Sequence, residues 1–333
     1  MRFMLFRSKV NPVLYIAEVG SNHEGNFSEA KKLVINASKS KADVVKLQIF
    51  TPENMVAKKY DQKRFDHFKK LELNKNQNLE LFKIIKSFKK KTSASIWDVE
   101  QINYFNKYID IFKIGSGDVH NFQIIEKIIK TKKPLILSTG LCSLKDIKLT
   151  VDFIKKLDKT YITKKRLALL HCNTSYPTPA NDSNLGTIKH LKDKFNLDIG
   201  YSDHTIGDEI LIYSYLSGVK IIEKHFSNNI KKKTFRDHEI SLDKKSVNIF
   251  LDKIKKISIY FGVKKKLTNS EKKQNNLYSF RRSIYAKKDI SKNEIFSETN
   301  IICLRPYKKN NSVKFFKFIK KKAKKSYKKG DLI

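Results

Sequence analysis

Eight short apolar runs recur along most of the chain, and each ends in a polar residue able to do chemistry. They are LYIAEVG ending near Glu18, VVKLQIF carrying Lys46, TSASIWD ending at Asp98, and IFKIGSGD carrying Lys113 and Ser116. PLILSTG with Ser138, LALLHCNTSYP with His171 to Tyr176, DIGYSDH ending at His204 and VKIIEKHF ending at His225 complete the series. Between them lie stretches of helical period such as SEAKKLVINASKS and NLGTIKHLKDKF, so the pattern predicts strand and helix in alternation. Alternation of this kind predicts parallel strands in an α/β fold. Eight of them in roughly 250 residues is the size of a closed (β/α)8 TIM barrel, whose active site lies at the carboxyl ends of the strands. The predicted barrel runs from about Val13 to about Phe261, with Thr51 to Leu73 as a long loop over its mouth.

At 333 residues the chain exceeds one comfortable core, which predicts a barrel plus a smaller domain. Around Gly262 the pattern gives way to a polar connector, KKKLTNSEKKQNN, and from Tyr278 to short strands, polar turns and no long helix. The expected division is residues 1–262 for the catalytic barrel, 263–277 for a linker and 278–333 for a small, mostly β domain. No apolar run approaches the roughly 18 residues of a membrane helix, and the N-terminal stretch is interrupted by charge. Cys142, Cys172 and Cys303 are widely spaced, as suits reduced thiols. Together these features predict a cytoplasmic protein with no membrane partner.

The formal charge of +37 would by itself suggest nucleic acid, but of the 70 Lys and Arg residues only 8 are Arg. Base and phosphate recognition favours arginine forks, and the lysines are spread along the whole chain. Compositional drift toward Lys, Asn and Ile explains the charge better. No nucleic-acid partner is expected, although the field would steer anionic substrates.

His204 and His225 end the seventh and eighth strands, so in a barrel they lie side by side at the mouth and suit one divalent cation. An isolated histidine is more often a hydrogen-bonded core residue; the shared position on adjacent strands favours a site. Asp203, Glu223 and Glu18 stand close by for support of the ligands or for water positioning. Mixed N and O donors suit Mn2+ or Mg2+ acting as a Lewis acid on a carbonyl. Lys46 and Lys113 each interrupt an apolar strand, where a charge needs a partner, and a bound anion would supply it. Ser116 and Ser138 follow on neighbouring strands, and the backbone from Gly115 to Gly117 suits a phosphate. An outward, solvent-seeking lysine is the ordinary alternative, and a Lys Schiff base is a weaker one.

The ordered segments IAEVGSNHEG, VVKLQ, KIGSGD, LSTG, HCNTSYPTP, GYSDHT and EKHF resemble the barrel signatures of the sialic acid synthases, which include N-acetylneuraminate, legionaminate and pseudaminate synthases. RRSIYAKKDISKNEIFSETNIICLRP is similar to their C-terminal antifreeze-like (SAF) domain. The resemblance implies condensation of phosphoenolpyruvate with the open-chain aldehyde of an N-acyl-mannosamine-type sugar, giving a nine-carbon 2-keto acid and phosphate. It implies that His204 and His225 hold the metal, that Lys46, Lys113, Ser116 and Ser138 hold phosphoenolpyruvate, and that Glu18 handles the attacking water. Tyr176 joins Glu18 and the two lysines as a catalytic candidate. Ser95, Asp118, Thr174, Ser202 and Asp237 fall among substrate contacts. Arg305 corresponds to an arginine that reaches a neighbouring active site, which implies a domain-swapped homodimer.

Departures from the family pattern cluster where the sugar would be chosen. Ser95-Ile96-Trp97-Asp98 stands for the usual Thr-Pro-Phe-Asp, Asp118 stands where some members have Glu, and Arg236 stands where Pro is common. After Arg305-Pro306 a glycine-containing loop is replaced by Tyr307, lysines and asparagines. An acceptor of the 2,4-diacetamido-6-deoxy hexose type is the alternative within the family. A phosphorylated aldose would need a further basic pocket. A basic carbohydrate- or nucleic-acid-binding paralogue without catalysis is disfavoured by the intact Glu18, Lys46, Lys113, His204 and His225.

Overall fold

The computed structural model describes residues 5–230, 235–262 and 266–333. Eight parallel strands form in the predicted order: β1 (Leu14–Glu18), β2 (Val44–Ile49), β3 (Lys91–Ile96), β4 (Ile111–Ile114), β5 (Leu135–Ser138), β6 (Leu167–Cys172), β7 (Asp198–Asp203) and β8 (Ile221–His225). Each pairs with the next and β8 pairs with β1, so the sheet closes into the expected (β/α)8 barrel. Glu18 lies in register with Lys46 on one side and His225 on the other.

The surrounding helices are α1 (Phe27–Lys39), α2 (Gln62–Leu71), α3 (Lys75–Ser87), α4 (Val99–Phe105), α5 (Phe122–Lys130), α6 (Leu144–Leu157), α7 (Thr160–Thr163), α8 (Gly186–Phe195), α9 (Glu209–Leu216) and α10 (Lys244–Phe261). Their starts follow local chemistry: Asn26, Asn74 and Ser143 accept backbone N–H bonds as N-caps, the last two within capping boxes. Their apolar faces pack on the outer surface of the sheet in one continuous core that includes Tyr15, Val45, Phe112, Leu137 and Ile222.

Inside the barrel the strands follow a second rule. On all strands but β3, whose inward Ser93 and Ser95 are polar, the first inward residues are apolar or glycine, and Leu14, Ile16, Val44, Ile111, Ile136, Ala168, Leu170 and Ile221 form a separate buried cluster with Phe6. Gly200 belongs to this packed layer, because a Cβ there would meet the backbone and side chain of Ile221 and the side chain of Leu170. Toward the carboxyl ends the residues two positions on are Glu18, Lys46, Lys113, Ser138, Cys172, Ser202 and Glu223, all buried. The side-chain period of two thus converts a strand that starts apolar and ends polar into a barrel with a dry floor and a polar mouth.

Two local expectations differ from the structure. The stretch from Thr51 to Leu73 is more than a loop, since it contains a 3-10 turn (Pro52–Asn54) and α2, which starts at the N-cap Asp61. In α2 only Phe65 and Leu71 are buried, so seven polar or charged neighbours hide its periodicity. The third strand ends at Ile96, and Asp98 instead caps α4 while accepting from Thr51 and Gln101.

The chain divides into two compact units, Met1–Phe261 and Gly262–Ile333. In the second, β9 (Ser283–Ala286) and β10 (Ile301–Leu304) pair antiparallel, and Ile284, Ala286, Ile290, Phe296, Ile301, Ala323 and Ile333 make its own core. Of the expected linker, 263–265 lie outside the described residues. The rest contains α11 (Asn269–Lys273), which opens with a Thr268/Glu271 capping box, and the first residues of α12 (Asn276–Phe280). The capping box satisfies the start of α11 without any apolar period to betray the helix. The remaining helix, α13 (Phe315–Phe318), is one turn long, in keeping with a mostly β unit.

Candidate active site

The polar mouth contains a ring of opposite charges. Lys113 on β4 donates to Glu223 Oε1 at 2.8 Å, Lys46 on β2 approaches the same oxygen at 3.4 Å, and Ser202 on β7 donates to it at 3.1 Å. Lys46 also forms an ion pair with Glu18. The compensation expected from an anion is therefore already present as two carboxylates, and Glu223 bridges the lysines instead of standing behind a metal ligand. Compensation is nevertheless incomplete: Glu18 Oε1, Glu223 Oε2 and Ser138 Oγ are buried and lack hydrogen-bond partners among the described residues. Burial pulls the Lys46 ammonium down to about 7 against the opposing charge of Glu223. Burial also works against ionised Glu223, but the two lysines overcome it and hold the carboxyl well below its ordinary value.

His204 and His225 face each other with ring centroids 5.5 Å apart. His204 Nδ1 lies 2.5 Å from the Asn173 carbonyl oxygen, which requires the proton on Nδ1 and leaves Nε2 as the free lone pair. Burial lowers the His204 imidazole to about 4 and His225 well below its ordinary range, the latter helped by His204 itself. Both are neutral ligand forms at pH 7. His225 Nδ1 has no hydrogen-bond partner among the described residues, although Asp237 Oδ2 stands 3.7 Å away. Asp237 Oδ1 has no close hydrogen-bond partner, only the Arg236 Nε at 3.5 Å, and burial raises this carboxyl to about 6 against the opposing charge of Arg236. Two neutral imidazoles beside an under-bonded carboxylate fit a divalent cation. Among the described residues no cluster of three or more His, Cys, Asp or Glu side chains is arranged to hold one, so the protein side of such a site is sparse.

Asp203 departs from its expected role. It points out of the barrel, where it pairs with Lys224 at 2.5 Å and accepts from Tyr201 and Thr205. Strand parity explains this: Ser202 and His204 face inward, so the residue between them faces the helices.

A cavity of about 260 Å³ is lined by Lys46, Ser95, Lys113, Ser116, Asp118, Ser138, Thr174, Tyr176, Ser202, His204 and His225, among others. The barrel thus brings together every predicted residue of the donor site. A wider cavity of about 950 Å³ lies outside it, bounded by His225, Tyr176, Asp237, Arg236 and Phe235 and by Arg64, His67, Phe68 and Leu71 of α2. The contribution of α2, and of Gln48 and Met55, escaped the sequence reading. Phe65, Phe68 and Leu71, three residues apart in turn, were the available signal. Tyr176 packs 4.1 Å from the His204 ring between centroids, with the Arg236 guanidinium 4.7 Å from its own centroid. Glu18 adjoins the inner cavity through Lys46 and His225. Arg305 lies in the second unit, where Nε donates to the Phe280 carbonyl and the guanidinium covers the Phe280 ring.

Residues 33–266 match the NeuB family. The chain is 36% identical to an N,N'-diacetyllegionaminic acid synthase from Campylobacter jejuni, over 96% of this chain and 98% of that protein. It is 30% identical to a pseudaminic acid synthase from the same species, over 96% and 95% of the two chains. A solved N-acetylneuraminic acid (sialic acid) synthetase from Leptospira borgpetersenii, in complex with citrate, matches with a TM-score of 0.71 and 31% identity, covering 80% of this chain and 91% of that one.

Proposed function

The chain belongs to the NeuB family, and from this premise we propose that it condenses phosphoenolpyruvate with the open-chain aldehyde of an N-acyl-mannosamine-type sugar. The products are a nine-carbon 2-keto sugar acid and inorganic phosphate. The observation that carries the reading is the inner cavity, where two lysines, under-bonded serine and glutamate groups and two neutral imidazoles converge.

In this reading Lys46 and Lys113 turn from Glu223 toward the phosphate and carboxylate of phosphoenolpyruvate, with Ser116 and Ser138 as hydroxyl donors. Ser95, Thr174 and Ser202 complete the wall of that pocket. His204 and His225 would hold Mn2+ or Mg2+, with Asp237 beside them and Tyr176 packed against the His204 ring. A divalent cation held there would supply Lewis-acid polarisation of the aldehyde oxygen. C3 of phosphoenolpyruvate forms the new bond to the aldehyde carbon, and the aldehyde oxygen is protonated to a hydroxyl. Water adds to C2, Glu18 takes its proton, and the bond from C2 to the phosphate oxygen breaks to release phosphate.

The outer cavity would take the sugar. Met55, Val56, Phe68, Leu71, Trp97 and Phe235 give it an apolar side, which favours a 2,4-diacetamido-6-deoxy hexose as the second reading of the acceptor. Arg305 is assigned to the neighbouring subunit's site in a swapped homodimer, and the enzyme to the cytoplasm. No described helix is long and apolar enough to cross a membrane.

The test is incubation of purified protein with phosphoenolpyruvate, Mn2+ and a panel of 2-acetamido and 2,4-diacetamido hexoses. Phosphate release together with a product whose mass equals sugar plus pyruvate is expected. Phosphate release without a condensed product, or no consumption with any hexose, overturns the assignment. For the swap, an Arg305→Ala chain mixed with a Lys113→Met chain should regain activity in heterodimers; heterodimers without any recovery would remove Arg305 from the partner's site.

A further inference from the structure

Trp97 is the chain's single tryptophan, and it stands immediately after β3 at the junction of the two cavities. Its backbone N–H donates to Ile49 O at 3.0 Å, which ties it to the end of β2. The indole rests near Phe50, with ring centroids 6.0 Å apart, and its Cζ2 lies over Gly115, 3.9 Å from where a Cβ there would stand. Its N–H donates to Asp118 Oδ2. The other carboxylate oxygen of Asp118 receives only a long 3.4 Å contact from Asn121. Asp118 is partly buried, and burial pushes its carboxyl up while the indole bond opposes the shift.

Gln48, Met55, Trp97, Tyr176 and His225 line both cavities and so form the threshold between them. The proposed bond joins C3 of phosphoenolpyruvate in the inner cavity to C1 of the acceptor, so C1 must reach this threshold. The substituent on C2, one bond away, then lies against the threshold residues. A large ring fixed there limits that substituent's size. A longer carboxylate would be out of register with an indole, and a phenyl ring would offer no N–H; the tryptophan and the short Asp118 fit one another.

We propose that Trp97 is a specificity-determining residue for the 2-acylamino group of the acceptor and that Asp118 is the positioning residue that holds its ring. This rests on the assignment of the inner cavity to phosphoenolpyruvate and the outer cavity to the sugar. Asp118, which also lines the inner cavity, thereby acts on the acceptor through the indole.

Because no other tryptophan contributes, emission reports directly on this position. Phosphoenolpyruvate or the acceptor, each added alone, should shift the emission of the wild-type chain. In Asp118→Ala, acrylamide quenching of Trp97 should rise and acceptor KM should increase roughly tenfold, the scale of a lost hydrogen bond to a charged group, while phosphoenolpyruvate KM stays within about twofold. Asp118→Asn retains an acceptor oxygen and should restore low quenching. Trp97→Phe should raise kcat/KM for a 2-butanamido hexose relative to the 2-acetamido compound by roughly tenfold, the scale of one or two methylenes in a fitted pocket. Unchanged quenching in Asp118→Ala, or an unchanged acyl-length preference in Trp97→Phe, overturns the proposal. If the wild-type chain turns over no hexose, the assigned reaction fails by itself, and the Trp97 and Asp118 pair is judged by quenching alone.

Discussion

Strand β8 buries a carboxylate and an ammonium on opposite faces, one residue apart, and the structure treats them differently. Lys224 faces the helices, where Asp203 and the Thr205 carbonyl each accept from it at 2.5 Å. Asp203 is in turn bonded by Tyr201 at 3.0 Å and by the Thr205 hydroxyl at 3.1 Å. Glu223 faces the barrel interior, where one oxygen takes Lys46, Lys113 and Ser202 and the other takes none among the described residues. Polar networks satisfied on every atom rigidify a fold, whereas those left short of partners are primed for a ligand. Burial alone does not tell a structural charge from a functional one; the residual bonding capacity does.

The sharpest separation comes from the inward face. Chelation, or His204→Ala and His225→Ala, should abolish turnover while leaving the urea midpoint nearly unchanged; wild-type rates after thorough metal removal would end the metal role. On the outward face Lys224→Met leaves Asp203 buried and unpaired, and should cost about 3–5 kcal/mol of stability. Adding Asp203→Asn should recover much of that loss in urea unfolding. A lone Lys224→Met that unfolds like the wild type would erase the contrast between the faces. Lys113→Met, which leaves Glu223 with Lys46, should lower kcat/KM for phosphoenolpyruvate by on the order of 100-fold, with a stability change of only about 1–2 kcal/mol.

The pH dependence is gentler and has opposite signs for binding and stability. Lys46 is lowered from its ordinary value of 10.5 to about 7 by burial, opposed by Glu223. Anion binding needs the ammonium, so phosphoenolpyruvate affinity should fall above about pH 7, by at most roughly tenfold per unit. Between about 7 and 10.5 the unfolded chain binds more protons at this residue than the folded one, so its contribution to stability rises with pH over the same window. Calorimetric titrations from pH 6 to 9 check the first, and urea midpoints the second. The smallest effect concerns the outer wall. Gly25 has a φ of +80° and would press a Cβ onto the Lys70 carbonyl at the end of α2, so Gly25→Ala should loosen this wall and raise acceptor KM a fewfold, at roughly 1–2 kcal/mol of backbone strain.

Strand order, barrel closure and the inward lysines and histidines were legible because strand parity is local. Along VKIIEKHF, Glu223 and His225 share a face and Lys224 takes the other, and the same rule should have sent Asp203 outward. The partners of the lysines were not legible. Lys113 and Glu223 are 110 residues apart, and only closure of the sheet brings them together. Helix α2 was hidden because its face packs few apolar residues, and the wall it forms was hidden with it.

The electrostatic balance at the barrel mouth carries one further consequence. Below about pH 7, where Lys46 is protonated, two ammonium groups and two carboxylates, those of Lys46, Lys113, Glu18 and Glu223, cancel one another before any ligand arrives. In the proposed reaction, a multiply charged anion entering this neutral set leaves the interior negative, and a divalent cation entering alone leaves it positive. Each therefore favours the arrival of the other. The coupling is reciprocal by thermodynamic necessity, so Mn2+ should tighten phosphoenolpyruvate binding by the same factor by which phosphoenolpyruvate tightens Mn2+. Loading of this barrel then behaves as the uptake of a salt, with both ions held poorly apart and well together, and independent affinities in paired titrations would contradict it.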